Sequence, residues 1–434
     1  MLKLPSLTSS KALMIRILLA FFFCLHLVEV FSQIRLPKLI SDGAVLQRNV
    51  ELKFWGWASP NEKVDLALNN KVYSTSADVQ GNWQLILPPQ EAGGPYIMTF
   101  KGKNEIIIEN ILFGEVWLCS GQSNMELTMH RVKDKYPDVI KNCKNPNIRQ
   151  FVVPDQYDFN TEHTDLESGN WVETDPESIL GFSAVAYFFA KEIYNKYQVP
   201  VGLINAALGG SPVEAWMSED ALEAFPYAYE ELQKFKDSNL IEEIQKRDRE
   251  RQNDWYDQLN QKDKGLSNGA EWYLANMDDE GWEEMLVPDF WSNQGLNNTN
   301  GVVWFRKKIT IPKKMIGKEA KLWLGRIVDQ DYVYVNGNLV GTTGYQYPPR
   351  KYTIDPIILK EGVNTIAIRV INQQGKGGFI LDKPYFLAVE NDTLNLKGIW
   401  KYQLGAGMEP LESQTFIRWK PGGLYKKMIA PLLN

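Results

Sequence analysis

Histidine is scarce in this chain. Only His26, His130 and His163 occur in 434 residues, which restricts any chemistry that needs an imidazole as metal ligand or general base. Cysteine is equally sparse, at Cys24, Cys119 and Cys143, so at most one disulfide survives any processing and a disulfide-built scaffold is excluded. With so few of both, no Cys/His ligand cluster exists and no metal is expected. Basic charge is not in excess: 47 Lys+Arg stand against 53 Asp+Glu, a net charge of -6. That balance argues against nucleic acid and anionic membrane surfaces as partners, since both call for a basic face, and suits a neutral sugar or ester better. Past the N-terminus no apolar run reaches the length of a bilayer span, so no stable membrane insertion is expected. What remains is ordinary for a soluble globular protein, 44% hydrophobic and 23% charged, with a length that suits two to four domains. The 12% aromatic content fits β-sandwich cores better than sugar-stacking platforms.

The N-terminus has its own pattern. Lys11 and Arg16 precede an apolar run from Ile17 to Val28, and Val30-Phe31-Ser32 offers a small-residue cleavage site before Gln33. This reads as a signal peptide over residues 1–32, hence a secreted or periplasmic protein, with Cys24 leaving in the leader.

From residue 33 to 110 the chain alternates apolar and polar residues in short runs. Val50 to Trp57, Val64 to Leu68 and Trp83 to Leu87 have the period of half-buried strands, with turn residues at Asn69-Asn70 and Gln80-Gly81-Asn82. A small β-sandwich is expected. After residue 111 the pattern changes. A buried strand ends at Cys119, a helix with Val185, Phe188, Phe189 and Ile193 on one face follows Ser183, and Val201 to Ala206 reads as a second buried strand ending in Gly209-Gly210-Ser211. Strand, helix and strand in that order suggest a parallel α/β layer. The charged stretch 225–269 reads as a helical connection. From 270 to 390 alternating strands return, with Asn336-Gly337 as a hairpin signal and Trp304 and Trp323 expected in the core.

The residues that carry chemistry lie at the first strand end. Gly121-Gln122-Ser123-Asn124 directly follows Val116-Trp117-Leu118-Cys119, so Ser123 occupies a tight turn at the C-terminal end of a buried strand, where open α/β sheets bind ligands. Ser123 is the candidate nucleophile. A serine hydroxyl needs a general base and oxyanion donors. His130 and His163 lie early in the chain and lack an Asp three residues before them; the expected state of His163, beside Glu162 and Asp165, is solvated.

At this point a family resemblance becomes legible. Phe113-Gly114-Glu115-Val116-Trp117-Leu118-Cys119-Ser120-Gly121-Gln122-Ser123-Asn124-Met125-Glu126 resembles the nucleophile block of the sialate O-acetylesterases, members of the SGNH hydrolase superfamily. Gly181 to Ala190 and Val201 to Trp216 resemble two further segments of that family. Gly301 to Lys307 and Asp331 to Gly337 resemble the galactose-binding-type sandwich of β-galactosidases. The resemblance implies an α/β plus β fold: a flavodoxin-like three-layer SGNH hydrolase domain with an N-terminal β-sandwich and an inserted galactose-binding-like jelly roll. The hydrolase domain then spans 111–224, the jelly roll 270–390, and the hydrolase domain resumes over 391–434.

It further implies Ser123 as nucleophile, with the oxyanion held by the amide of Ser123 and an amide of the Gly209-Gly210 turn. Glycine suits that turn because its backbone approaches a ligand closely and takes a positive φ. Gln122, Asn124 and Glu214 are candidates for substrate contact, each with a purely structural alternative, and core packing is favoured for Trp216. The substrate implied is an O-acetylated sugar or glycan, sialic acid first, cleaved through an acetyl-serine without a cofactor. Acetylated xylan or another plant glycan, and a non-catalytic carbohydrate-binding or scaffold role, are the alternatives. The family's Asp and His are not found here. Gly422 to Leu432 resembles the lead-in to a later block, and the sequence stops at Asn434. An incomplete hydrolase domain of very low activity is therefore expected, with part of its apolar sheet face uncovered.

Overall fold

The computed structural model describes residues 33–155, 158–160, 163–267, 269 and 271–411. The expected leader, Glu162 and the segment 422–432 lie outside them. The chain divides into two compact units between Asp237 and Ser238.

In the first unit the alternating runs form strands β1 (Val45–Gln47), β2 (Leu52–Trp57), β3 (Lys63–Leu68), β4 (Lys71–Ser76), β5 (Asn82–Leu87) and β6 (Gly93–Lys101). Every second residue points inward, so Leu52, Phe54, Val64, Leu66, Trp83, Leu85, Met98 and Phe100 share one core. Strand β7 (Glu105–Gly121) follows, 17 residues long. It crosses the 110/111 boundary expected from sequence without a break. Its first part pairs antiparallel with β6, while Glu115 to Gly121 pairs parallel with β10 (Val201–Ala207). The strand bends at Asn110, which takes φ 59°. The buried Arg149 holds that bend, donating to Asn110 O at 2.5 Å, Asn110 Oδ1 at 2.9 Å and Gly43 O at 2.7 Å. One strand therefore serves both the sandwich and the α/β layer.

The order β4-β3-β6-β7-β10-β8-β9 completes this sheet, with β8 (Asn145–Val152) parallel to β10 and β9 (Trp171–Thr174) antiparallel at the edge. Three short helices, α1 (Ser123–Glu126), α2 (Met129–Val132) and α3 (Pro137–Lys141), lie between β7 and β8. Helix α4 (Ala184–Tyr197) makes the crossover into β10. Ser183 caps it, its Oγ accepting from Ala186 N–H at 3.3 Å. The continuous apolar run of β10 is explained by burial on both faces: Val201 and Leu203 join the cluster with Phe182, Tyr187 and Ala190, while Ile204 and Ala206 face the sandwich core. Two further helices, α5 (Glu219–Leu222) and α6 (Pro226–Phe235), follow.

The second unit opens with helix α7 (Ser238–Lys262). Among the described residues its strands are β11 (Glu283–Val287), β12 (Asn300–Ile311), β13 (Ala320–Leu324), β14 (Ile327–Val328), β15 (Gln330–Val335), β16 (Asn338–Thr343), β17 (Lys351–Ile354), β18 (Gly362–Asn372), β19 (Gly378–Phe379), β20 (Tyr385–Val389), β21 (Asp392–Asn395) and β22 (Gly398–Met408). A six-stranded sheet, β11-β22-β12-β18-β15-β16, and a four-stranded sheet, β17-β13-β20-β21, contribute to one core containing Trp291, Val303, Phe305, Leu322, Ile368, Leu387 and Trp400. Strand β22 lies between β11 and β12, so the sandwich runs past residue 390 to at least Met408, because removing β22 would leave β11 unpaired and one edge of β12 open. Trp304 is fully buried, on the side that faces Trp255 and Leu259 of α7. Trp323 departs from the core expectation. Leu322 and Leu324 take the inward positions of β13, and strand alternation turns Trp323 outward, where it stacks on Phe386 at 5.4 Å with Lys351 Nζ 4.2 Å from its ring centroid.

Candidate active site

The parallel strands β7 and β10 end side by side, with Gly121 opposite Ala207 and Leu208 N–H donating to Gly121 O at 3.0 Å. Both chains then turn at the same sheet edge. After β7, Gln122 is extended and Ser123 opens the single turn α1. After β10, the chain enters Leu208-Gly209-Gly210-Ser211. Ser123 is exposed, so its hydroxyl is open to solvent.

The two glycines have different reasons to be glycine. A Cβ on Gly209 would stand 3.2 Å from Ser123 Cβ and 3.4 Å from Ser123 Cα, so the missing side chain is what lets this backbone lie against the nucleophile turn. Gly210 instead takes φ 75°, the left-handed conformation that turns the chain. Buried Ser211 ties the turn together: its Oγ donates to Leu208 O at 2.8 Å and accepts from Trp216 Nε1–H at 2.9 Å.

The other expected site residues divide. Gln122 donates from Nε2 to Ser211 O, so it fastens one strand-end loop to the other. Asn124 is exposed at the second position of α1, and Glu214 is half-buried on the 3-10 turn Val213–Trp216 beyond the glycines. Trp216 is half-buried and bound to Ser211 rather than sealed in a core. Glu126 carries a contact that sequence reasoning missed. Its carboxylate accepts the hydrogen bond of Gly209 N–H. The signal was its spacing, three residues after Ser123 on a helical turn, which puts both side chains on one face.

The imidazoles are engaged elsewhere. His130 is exposed on α2, with Nε2 3.2 Å from Lys133 Nζ. His163 is not simply solvated: it is half-buried and pairs through Nε2 with Asp158 Oδ2 at 2.7 Å. Among the described residues no side chain hydrogen-bonds to Ser123 Oγ, and no group of three or more His, Cys, Asp or Glu is placed to hold a metal ion. No described helix is long and apolar enough to cross a membrane.

Comparison with known proteins gives this geometry a family. Residues 114–245 match the profile "Carbohydrate esterase, sialic acid-specific acetylesterase". Residues 114–245 are thus similar to the sialate O-acetylesterase family. Residues 235–404 match "Glycosyl hydrolases family 2, sugar binding domain". An SGNH-type esterase domain and a sugar-binding domain similar to those of glycosyl hydrolases thus account for the two matched stretches. The sialate O-acetylesterases of Homo sapiens and Pongo abelii are each 30% identical to this chain over 209 residues, 44% of this chain and 40% of theirs. The chain therefore spans about two fifths of the length of these relatives. Among solved structures, a carbohydrate acetylesterase from Xanthomonas citri is 38% identical over 44% of this chain and 43% of its own, with a TM-score of 0.42. A Bifidobacterium dentium β-glucuronidase is 24% identical over 25% of this chain and 18% of its own, with a TM-score of 0.22.

Proposed function

We propose that this chain carries the nucleophile-bearing part of a carbohydrate O-acetylesterase acting on O-acetylated sialic acid or a related glycan. The observation that carries the reading is the placement of exposed Ser123 directly against Gly209 at the ends of two adjacent parallel strands. The family profile over residues 114–245 supports the same reaction class.

In this reaction Ser123 Oγ adds to the acetyl carbonyl carbon, and its proton passes to a base. The oxyanion that forms is met by the Ser123 amide and an amide of the Gly209-Gly210 turn. The sugar hydroxyl leaves with a proton, and water then cleaves the acetyl-serine to acetate. No histidine is hydrogen-bonded to Ser123 among the described residues, so hydrolysis by this chain alone is slow. The finer fold proposed for the matched esterase segment is the flavodoxin-like three-layer arrangement, and the proposed destination is secretion or the periplasm after cleavage before Gln33. Acetylated xylan is the competing substrate.

The test is release of acetate from O-acetylated sialic acid and from acetylxylan, and turnover of p-nitrophenyl acetate, by the chain and by Ser123→Ala. A weak activity that disappears in Ser123→Ala supports the reading; activity unchanged by that substitution sinks it. The match of residues 235–404 to a sugar-binding domain favours a second reading, carbohydrate binding without hydrolysis. Calorimetric sugar binding together with no Ser123-dependent turnover would select it.

A further inference from the structure

The glycine that lies against the nucleophile turn has an amide that already has an acceptor. Gly209 N–H donates to the Glu126 carboxylate. A Cβ built on Gly209 would stand 2.7 Å from Glu126 Oε2 and 3.2 Å from Ser123 Cβ, so the carboxylate and the nucleophile flank the same glycine. Glu126 reaches this position because Ser123 begins a helical turn, with Glu126 N–H donating to Gln122 O at 3.0 Å and Leu127 N–H to Ser123 O at 2.9 Å. Glu126 is itself exposed, so its side chain has solvent to swing into. An anionic oxygen accepting a backbone N–H beside a nucleophilic serine is what an oxyanion, or the product acetate, presents there.

We propose that Glu126 is an internal competitor for the anion position offered by the Gly209 amide, which a carbonyl oxygen or acetate must displace. The inference rests on the esterase reading for its functional meaning and on the Gly209–Glu126 hydrogen bond for its physics. One N–H offers one strong, well-aligned hydrogen bond, so the two acceptors exclude each other. Removing the carboxylate frees the amide. Replacing it with a neutral amide side chain keeps an acceptor but weakens it, since charge-assisted bonds are roughly twice as strong as neutral ones.

The test reads the amide directly. Leu carbonyl-13C with Gly 15N labelling of the full chain selects the Leu-Gly peptides, which are those at Gly181, Gly209, Gly325 and Gly405. Three of the four signals serve as controls. Glu126→Ala is expected to move the Gly209 amide proton upfield and leave the controls in place. Sodium acetate, titrated at constant ionic strength, is expected to shift the Gly209 signal with at least about tenfold tighter half-saturation in Glu126→Ala than in the unsubstituted chain, and with an intermediate value in Glu126→Gln. A residue that merely braced the glycine turn would not raise acetate affinity when removed. The proposal is overturned if the Gly209 signal is the same in all three proteins, or if it moves but acetate affinity does not rise. The control signals report whether each variant is folded, and Glu126→Gln carries the test if Glu126→Ala is not. The esterase reading fails separately, through Ser123→Ala, and its failure leaves the acetate titration interpretable.

Discussion

Substituting Gly209 by alanine separates chemistry from folding at this site. The added Cβ would lie 2.7 Å from Glu126 Oε2, a contact that a flexible exposed side chain relieves by swinging away. It would also lie 3.2 Å from Ser123 Cβ and 3.4 Å from Ser123 Cα, and these are relieved only if the nucleophile turn or the glycine turn shifts by a few tenths of an ångström. Gly209 does not have a positive φ, so alanine meets no backbone strain there. The stability cost is therefore small, less than about 1 kcal/mol, as for other partly exposed positions. Catalysis is less tolerant. Loss of one oxyanion donor costs roughly 10²–10³-fold, and partial misplacement of donor and nucleophile a share of that, about 10–100-fold. Gly210→Ala has the opposite profile. Its φ of 75° puts alanine in the left-handed region, at about 1–2 kcal/mol. Both variants are compared by the Ser123-dependent part of p-nitrophenyl acetate hydrolysis and by equilibrium urea unfolding. If Gly209→Ala keeps its rate within about twofold, or loses as much stability as Gly210→Ala, the assignment of close approach to one glycine and turn geometry to the other is wrong.

Three further outcomes are expected. In the second unit, Asp331 is fully buried and accepts from Arg350 Nε at 2.5 Å and Tyr352 OH at 2.6 Å, so Arg350→Ala strands a buried carboxylate and costs about 3–5 kcal/mol in urea unfolding. Burial already holds the Asp331 carboxyl above its ordinary range, and for a raised carboxyl the stabilising contribution is present below the unfolded pKa and lost as pH rises through the folded one. The Arg350→Ala deficit should therefore be largest near neutral pH and shrink toward about pH 4; a deficit that grows on acidification contradicts this. Cys119 and Cys143 are free and buried, and burial pushes the Cys119 thiol up to about 11, so both should react with Ellman's reagent on unfolding far faster than in the native chain at pH 8. Leu118 is 41% exposed on β7, on the face opposite to Trp117, whose ring lies 4.9 Å from Phe189 of α4, and Leu118→Glu should lower light scattering on concentration while leaving the unfolding midpoint within a few degrees.

Among the described residues, no strand pairs with Glu115 to Gly121 on the edge away from β10. The Ser123 turn was legible locally, because an apolar run followed by Gly-Gln-Ser-Asn specifies a strand end and a tight turn with no knowledge of the rest of the chain. Alternation of period two was sufficient for strands such as β2, β3 and β5, where one face is buried. It was insufficient at Trp323, whose apolar character suggested the core while its register in β13 turned it outward. The 110/111 and 390 boundaries failed for a related reason. Local pattern reports burial, whereas membership of a sheet is decided by hydrogen bonds to distant strands, as β7 and β22 demonstrate.

By itself the sequence determined the chemical inventory: a serine at a strand end, a glycine pair at another, few imidazoles and a net charge of -6. Each of those is a property of residue type or of neighbours within a few positions. Only the tertiary structure decided that Gly209 lies against Ser123, that Gln122 fastens the two loops, and that Glu126 takes the Gly209 amide. Those facts depend on the parallel register of β7 and β10, set by side chains buried on both faces of β10, and they join residues as far apart in sequence as Glu126 and Gly209, 83 positions.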